Sequence, residues 1–358
     1  MGGKSGQNTP FGTRTFPGNE AMKTISSTLK KVIFAIIPCL ALFAFGEVIM
    51  VLSGWDNSLF QWNTCSGSPC NTPHGKVAYR RGVMPWCKRY ETNLNNIGLR
   101  GEDVSNDKKE IRILFVGDSL TFGVGVHDEK VFCVLTQSLL GKHNGLKIIN
   151  GGVPGYGIND EIVQTKRLFD LVQPDLVLLF FYENDIFDIL KTINPEQYKI
   201  WESERFTPLK RSALLWSMKM IHYNFVYKHG QMVFPYSVHP LELKDDIVTI
   251  GWKNYFDSVD KLRNFVESNG AKFGLVVIPD YMQVVSDVMV IEKQFDSYAD
   301  KSGVPTLKLL DVWKDNRELG LTMIPNDGHP NELGHRLFAQ ALSQWIPATF
   351  FHGRLERR

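Results

Sequence analysis

Short apolar runs alternate with longer amphipathic stretches along most of the chain after residue 110. The apolar runs have the length and composition of buried strands, and they predict strands near residues 111–117, 146–150, 175–181, 272–279 and 305–311. The amphipathic stretches predict helices near residues 128–141, 159–172, 252–269, 287–301 and 331–345. Strands and helices in this order form a parallel sheet covered on both faces. We therefore predict an α/β fold, a three-layer doubly wound sheet of about five parallel strands.

One stretch, residues 186–246, interrupts this alternation. At about sixty residues it is too long for a simple connection, and its centre is rich in apolar and aromatic side chains. Two interpretations remain open. These side chains form a lid over an acyl-binding pocket or rest on a membrane surface, or they simply pack on the sheet. The apolar and aromatic residues of the stretch are Leu214, Leu215, Trp216, Met218, Met220, Ile221, Tyr223, Phe225, Val226 and Tyr227.

The segment Val32–Leu52 predicts one transmembrane helix that precedes the α/β domain. At ~1.5 Å per residue its length matches the hydrocarbon core of a bilayer, and Glu47, its one acidic residue, lies near the far end. Five Lys/Arg residues precede it in a tail, residues 1–31, that we predict to be disordered and cytoplasmic. The α/β domain is then expected across the membrane. A cleaved signal peptide is the alternative, although its leader would be long and no Ala-x-Ala site follows.

The remaining boundaries follow from these elements. Residues 53–110 form a loop-rich juxtamembrane segment, residues 111–348 the catalytic domain with its insertion 186–246, and residues 349–358 a C-terminal tail. Three cysteines, Cys65, Cys70 and Cys87, fall in the juxtamembrane segment. In an oxidising compartment Cys65–Cys70 or Cys70–Cys87 could pair, or the three cysteines could bind zinc together with His74.

Composition adds one exclusion. The chain has 358 residues, a formal net charge of +2 and 43% hydrophobic residues, which are ordinary values for a globular protein. No basic stretch with interleaved aromatic residues is present, so nucleic acid is not an expected partner.

The chemistry-bearing residues follow the predicted strands. Ser119 ends the turn after the first strand, at the edge where open α/β sheets bind ligands, and is the candidate nucleophile. His329 precedes the last helix and is the candidate base, with Asp327 two residues earlier to orient it. Gly155, in a glycine-rich loop after the second strand, and Asn184, after the third, are candidate oxyanion donors together with the N–H of Ser119.

These four blocks resemble, in their order, the SGNH (GDSL-type) hydrolases and acyltransferases. Gly117-Asp118-Ser119-Leu120 resembles the nucleophile block, and His329 with the following Pro-Asn resembles the histidine block. Two positions depart from the pattern. Tyr182 stands where the family has glycine, and Asn326 stands three residues before the histidine, where the family has its acid. Asp327 is therefore the expected acid, with Asn326 as the fallback, a spacing similar to that of alginate-type O-acetyltransferases.

The resemblance implies an SGNH/flavodoxin-like fold and a Ser-His-Asp serine esterase or O-acyltransferase that requires no metal or organic cofactor. Residues 95–101 resemble a stretch that precedes the catalytic domain in membrane-linked bacterial members. Together with the predicted anchor, this resemblance implies a bacterial inner-membrane protein with a periplasmic or extracytoplasmic catalytic domain. Acyl esters of cell-envelope glycans or lipids are then the expected substrates. Two alternatives stay open: a degenerate domain that serves as a structural subunit of a membrane complex, and a glycan-binding module without chemistry.

Overall fold

A computed structural model describes residues 2, 18–52, 60–62, 73–81, 89–141, 145–196, 246–279, 283, 289–316, 319–324 and 327–351. The strands are β1 (Phe60–Trp62), β2 (Lys76–Arg81), β3 (Arg89–Asn93), β4 (Ile111–Val116), β5 (Leu146–Asn150), β6 (Leu176–Phe181), β7 (Lys272–Val277), β8 (Thr306–Lys308), β9 (Thr322–Ile324) and β10 (Asp327–Pro330). The helices are α1 (Gly18–Leu52), α2 (Ser119–Phe122), α3 (Phe132–Leu140), α4 (Ile158–Val172), α5 (Asn184–Ile193), α6 (Asp246–Ser268), α7 (Val290–Ser302), α8 (Leu310–Lys314) and α9 (Glu332–Phe350).

The central sheet has five parallel strands, as the sequence predicts, and the structure shows their order to be β5-β4-β6-β7-β8. From β4 the chain crosses to β5 on one side and then returns to β6 on the other. This reversal makes the boundary between β4 and β6 a topological switch point, and the loops that leave their carboxyl ends diverge there.

Helices cover both faces of the sheet, because successive side chains of each central strand are buried on opposite sides. Leu114 and Val116 of β4 pack into one apolar cluster with helices α4, α5, α6 and α7. Ile113 and Phe115 pack into the second cluster with α3, α8 and α9. A strand that is buried on both faces needs a continuous apolar run, which is why the sequence IRILFV predicts it so clearly.

Two predicted elements have different ends in the structure. The strand predicted at residues 305–311 ends at Lys308, and Leu310–Lys314 is the short helix α8. Leu310 and Trp313, three residues apart, are both buried against α9, which is helical rather than strand spacing. The helix predicted at residues 128–141 begins with a 3₁₀ turn, Asp128–Lys130, and becomes α-helical only at Phe132.

The expected domain ends also need correction. Helix α9 continues through Phe350, which is buried in the second cluster, so residues 349 and 350 belong to the domain and not to a tail. The first residues of the expected insertion form helix α5, which presents Ile186, Phe187 and Leu190 to the first cluster. The apolar residues Leu214–Tyr227 lie outside the described residues.

The segment before the domain contains regular structure instead of loops alone. Strands β1, β2 and β3 form a separate antiparallel sheet and not an edge strand of the central one. Val77 of β2 and Leu94 form a third apolar cluster with Phe122, Val124 and Val153. This small sheet therefore packs at the carboxyl end of β4.

The predicted anchor Val32–Leu52 falls within helix α1. Across the described part of the chain, no helix is both long enough and apolar enough to span a membrane.

Candidate active site

The nucleophile turn follows β4 directly. Asp118 caps helix α2 through Oδ1, which accepts a hydrogen bond from the Leu120 N–H at 2.8 Å. Ser119 is the first residue of α2 and is half-buried. Gly117 is required by close packing, because a Cβ there would lie 2.2 Å from Oγ1 of Thr121 and 3.1 Å from Cβ of Phe180.

The structure brings Ser119 and His329 into contact. Nε2 of His329 lies 2.8 Å from Oγ of Ser119, which is hydrogen-bond distance, although 210 positions separate the two residues. A serine paired with an imidazole in this way is the arrangement of a nucleophile and its general base.

A hairpin and a capped helix hold His329 in place. His329 lies in β10, which pairs with β9 in an irregular antiparallel hairpin. Asn331 caps helix α9 by accepting hydrogen bonds from the N–H groups of Leu333 and Gly334, and its own N–H donates to the Leu321 carbonyl. The Pro-Asn pair after His329 therefore begins the final helix and fixes the base just before it.

The glycine loop after β5 is bonded to the nucleophile turn. The Val153 N–H donates to the Gly117 carbonyl at 2.9 Å, and the Gly151 N–H donates to the Phe115 carbonyl. Gly155 lies further along this loop, exposed and in the left-handed region with φ of 81°. In the described part of the chain neither its N–H nor that of Ser119 has a protein acceptor, so both are available to a ligand oxygen.

Asn184 begins helix α5 at the carboxyl end of β6, with Glu183 as the cap residue. Its side chain hydrogen-bonds to the carboxyl group of Asp118, and its buried Oδ1 has no partner among the residues that the structure describes. Asn184 is thus bonded to the residue that precedes the nucleophile. Tyr182, which replaces the family glycine, is half-buried and packs against the second apolar cluster.

Three buried acids lie beneath this end of the sheet. Burial raises the pKa of Asp118 to about 6, although the Leu120 N–H, His329 and Asn184 each lower it in part. Burial also raises the pKa of Glu161 and Asp185 well above their ordinary values, and the mutual repulsion of these carboxyls adds to the shift. Within the described part of the chain, the side-chain oxygens of Glu161 and Asp185 have no hydrogen-bond partner, and neither has the nearby hydroxyl of Tyr255.

Several predicted residues are not placed by the structure. Only the backbone of Asp327 is described, and Asn326 lies outside the described residues, so the acid of the triad stays a prediction. The side chains of Cys65, Cys70 and Cys87 also lie outside, and neither the disulfide nor the zinc alternative is tested. Among the side chains that are described, no group of three or more His, Cys, Asp or Glu is arranged to hold a metal ion.

The sequence analysis assigns no functional role to His335, which lies in the last helix, α9. His335 is fully buried, and its Nδ1 accepts a hydrogen bond from the Phe132 N–H at 3.2 Å, which joins α9 to α3. Burial lowers its pKa to about 3, with smaller contributions from the positive charges of Arg100 and His329. His335 lies six residues after His329, and this spacing does not indicate the contact with Phe132. Sequence alone could not show that contact, because Phe132 is 203 positions away from His335.

The model of the GDSL-like lipase/acylhydrolase family matches residues 115–337, more than half of the chain. A comparison with curated protein sequences finds no match. Among solved structures, the chain is similar to the lipase/acylhydrolase from Enterococcus faecalis, with 13% identity, a TM-score of 0.42 and coverage of 66% of this chain and 96% of that one. It is also similar to the esterase EstA from a Pseudoalteromonas species, with 15% identity, a TM-score of 0.40 and coverage of 67% and 98%. On the strength of the family match, the chain belongs to the GDSL-like lipase/acylhydrolase family.

Proposed function

We propose that the protein is a membrane-anchored serine esterase or O-acyltransferase whose nucleophile is Ser119. The observation that carries this function is the 2.8 Å hydrogen bond between Oγ of Ser119 and Nε2 of His329 at the carboxyl end of β4. A serine that served only to form a turn would not need a hydrogen bond to an imidazole from near the other end of the chain.

The reaction divides into two acyl transfers. Nε2 of His329 takes the proton of Ser119 as Oγ attacks the ester carbonyl carbon, which forms a tetrahedral oxyanion. The C–O bond to the leaving alcohol then breaks, and His329 gives its proton to that alcohol. The acyl group stays on Ser119 as an ester. Water or a second alcohol, deprotonated by His329, attacks this ester and releases the serine.

The groups that would stabilise the charges come from three different loops. The N–H groups of Ser119 and Gly155 and the side-chain amide of Asn184 would donate to the oxyanion, at a typical worth of ~3 kcal/mol for each donor. Asp327 would accept a hydrogen bond from Nδ1 of His329, fix its tautomer and stabilise the imidazolium. Asn326 is the fallback for that position.

The acyl acceptor decides between hydrolase and transferase. Water gives a hydrolase, and a sugar hydroxyl gives an O-acyltransferase that modifies cell-envelope glycans; lipid esters are a further substrate class. The two-residue spacing of Asp327 and His329 favours O-acyl chemistry, because it is similar to that of alginate-type O-acetyltransferases.

The test is labelling of the detergent-solubilised protein with a fluorophosphonate ester, which reacts with activated serines. We expect the wild-type protein to be labelled, and the Ser119→Ala and His329→Ala variants to lose labelling by at least about 1,000-fold. Ser138→Ala is the matched control, because Ser138 is an exposed serine in helix α3 and lies outside the turn that carries Ser119.

Each possible result has a defined meaning. Equal labelling of wild type and Ser119→Ala would contradict Ser119 as the nucleophile. A folded wild-type protein that resists the probe, and that purifies in fixed ratio with other membrane proteins, would favour the structural-subunit alternative. In an active protein, acyl transfer from p-nitrophenyl acetate to added glycan would separate the transferase from the hydrolase.

Anchoring through Val32–Leu52 is a separate part of this proposal. The side chains described for that stretch include large exposed apolar ones, among them Phe34 at 82%, Leu42 at 70% and Phe45 at 64% exposure, which water alone would not favour. We expect the chain to stay in the membrane pellet after carbonate extraction. Release into the supernatant would contradict the anchor and leave the esterase assignment intact.

A further inference from the structure

The segment Asn95–Arg100 forms a tight turn before the domain. The carbonyl of Asn95 accepts the Gly98 N–H at 3.0 Å, and its side-chain Oδ1 accepts the N–H groups of Ile97 and Leu99. Gly98 has a positive φ of 79°, which favours glycine. Leu99 is buried in the first apolar cluster. Asn95, Gly98 and Leu99 therefore each have a structural role in the turn. Together they determine the direction of the next side chain, Arg100.

The guanidinium of Arg100 is buried against the far end of the nucleophile helix. Nη1 donates to the carbonyls of Phe122 at 3.0 Å and Gly123 at 2.6 Å. Nη2 donates to the Val126 carbonyl at 2.8 Å, and Nε donates to Oδ1 of Asp128 at 2.8 Å. Only 4% of Arg100 is exposed, and its guanidinium lies 5.1 Å from the ring centre of Phe122.

The Phe122 carbonyl belongs to the last residue of helix α2, and the Gly123 and Val126 carbonyls follow it in the chain. Helix α2 has only four residues, so its last carbonyls lie about one turn from Ser119 at its start. Gly123 closes the helix in the left-handed region, and its N–H donates back to the Ser119 carbonyl at 3.1 Å. A rigid planar guanidinium that binds three carbonyls, those of Phe122, Gly123 and Val126, fixes this segment, which a flexible lysine cannot do.

We propose that Arg100 is a positioning residue for the nucleophile: it fixes the end of helix α2 so that Oγ of Ser119 stays within hydrogen-bond distance of His329. This inference rests on the proposed function, since it concerns the same serine. Arg100 itself touches no reacting atom. Its effect is expected on the rate of the chemical step, because a misplacement of about 1 Å can cost ~100-fold in rate.

The chain offers a matched control in Arg112. Arg112 is equally buried, at 1% exposure, and its guanidinium also donates to two carbonyls, those of Ser105 and Val172, and to one acid, Glu110. It lies at the amino end of β4, however, whereas the nucleophile turn follows the carboxyl end. Removal of either arginine takes away its hydrogen bonds to buried carbonyls, so we expect the two substitutions to cost comparable stability although they differ in location.

The first measurement is the concentration dependence of fluorophosphonate labelling for the folded wild type, Arg100→Gln, Arg100→Lys and Arg112→Gln. We expect Arg100→Gln to lower the limiting labelling rate about 10–100-fold with an unchanged half-saturating probe concentration. Arg100→Lys, which keeps the charge and the fold but lacks the fork, should fall between it and the wild type. Arg112→Gln should label at the wild-type rate. Equal rates for Arg100→Gln and Arg112→Gln would overturn the proposal.

The second measurement does not depend on chemistry. Amide hydrogen exchange of residues 117–126 should be faster in Arg100→Gln than in the wild type, and unchanged in Arg112→Gln. If the wild type is not labelled at all, the proposed function fails, while the exchange comparison still decides the role of Arg100. Unchanged exchange over residues 117–126 in Arg100→Gln would show that the arginine does not fix α2.

Discussion

At the residue scale, the absence of a Cβ at Gly117 allows the close turn that positions Ser119. Gly117 joins β4 to α2 where Thr121 and Phe180 leave no room for a Cβ. Gly152 has the same role from the neighbouring loop, because its Cβ would lie 2.4 Å from the backbone nitrogen of Phe122. The turn that carries Ser119 is therefore packed closely by side chains at Gly117, and helix α2 is packed closely against the backbone at Gly152.

The substitution Gly117→Ala should displace helix α2. We expect a loss of about 1–3 kcal/mol in the free energy of unfolding, the usual cost of overpacking a buried site. The rate of fluorophosphonate labelling should fall about 100-fold because Ser119 moves away from His329. Urea unfolding and labelling of the same preparation measure both effects.

A second substitution tests whether the clash is the cause. Thr121→Ala removes the Oγ1 atom that would lie 2.2 Å from the new Cβ, but leaves the Thr121 Cβ at 2.9 Å. The double variant should therefore recover part of the lost stability and labelling. No recovery at all would mean that Gly117 is needed for another reason.

At the element scale, the ends of β4, β6 and β10 carry the reactive groups. The five parallel strands and the meeting of Ser119 with His329 could be predicted from sequence, because buried parallel strands need apolar runs and the groups that follow them meet at one edge. The hydrogen bonds of Arg100 could not, since only the fold shows which carbonyls its guanidinium reaches. The predicted strand at residues 305–311 is too long because TLKLL has the composition of a strand, whereas Leu310 and Trp313 are buried at helical spacing.

The junction of α3 and α9 should make stability depend on pH through His335. Its pKa of about 3 lies below the unfolded value near 6.5. The unfolded chain therefore binds a proton that the folded chain does not, and stability is lost as pH falls from about 6.5 towards 3. We expect His335→Asn to be about 2 kcal/mol less stable than the wild type at pH 7.5, with a difference that narrows by pH 4.5.

Urea unfolding at the two pH values measures this difference, and His127→Asn serves as the control because His127 is exposed. A stability difference between wild type and His335→Asn that is the same at pH 7.5 and pH 4.5 would contradict a buried neutral His335.

At the scale of the whole molecule, the buried acids have the opposite effect to His335 on the pH dependence of stability. The pKa values of Asp118, Glu161 and Asp185 are raised, so the folded chain binds protons that the unfolded chain has released. Each such group lowers stability as pH rises above about 4. The ionised carboxyls therefore make the layer between the sheet and helices α4, α5 and α6 less stable than its apolar packing alone would make it. These carboxyls lie close to the end of the sheet that carries Ser119.

Asp185→Asn should remove part of this cost. At pH 8 we expect the variant to be about 2 kcal/mol more stable than the wild type, and at pH 4 the difference should be small, because the wild-type carboxyl is then protonated in the folded chain and about half protonated in the unfolded chain. Urea unfolding measures both values. Asp170→Asn, an exposed change on α4, should alter neither. A variant that is less stable at pH 8 would show that the ionised carboxyl contributes favourably to the fold.

The contact between Ser119 and His329 also has a consequence for the time at which the protein becomes reactive. Because 210 positions separate the two residues, β6, β7, β8 and the hairpin must be synthesised and folded before the imidazole reaches the serine. A growing chain that already contains the whole turn at Ser119 therefore still lacks the imidazole partner of that serine. The pair forms only after the hairpin that carries His329 has folded, so its formation marks a late stage of folding.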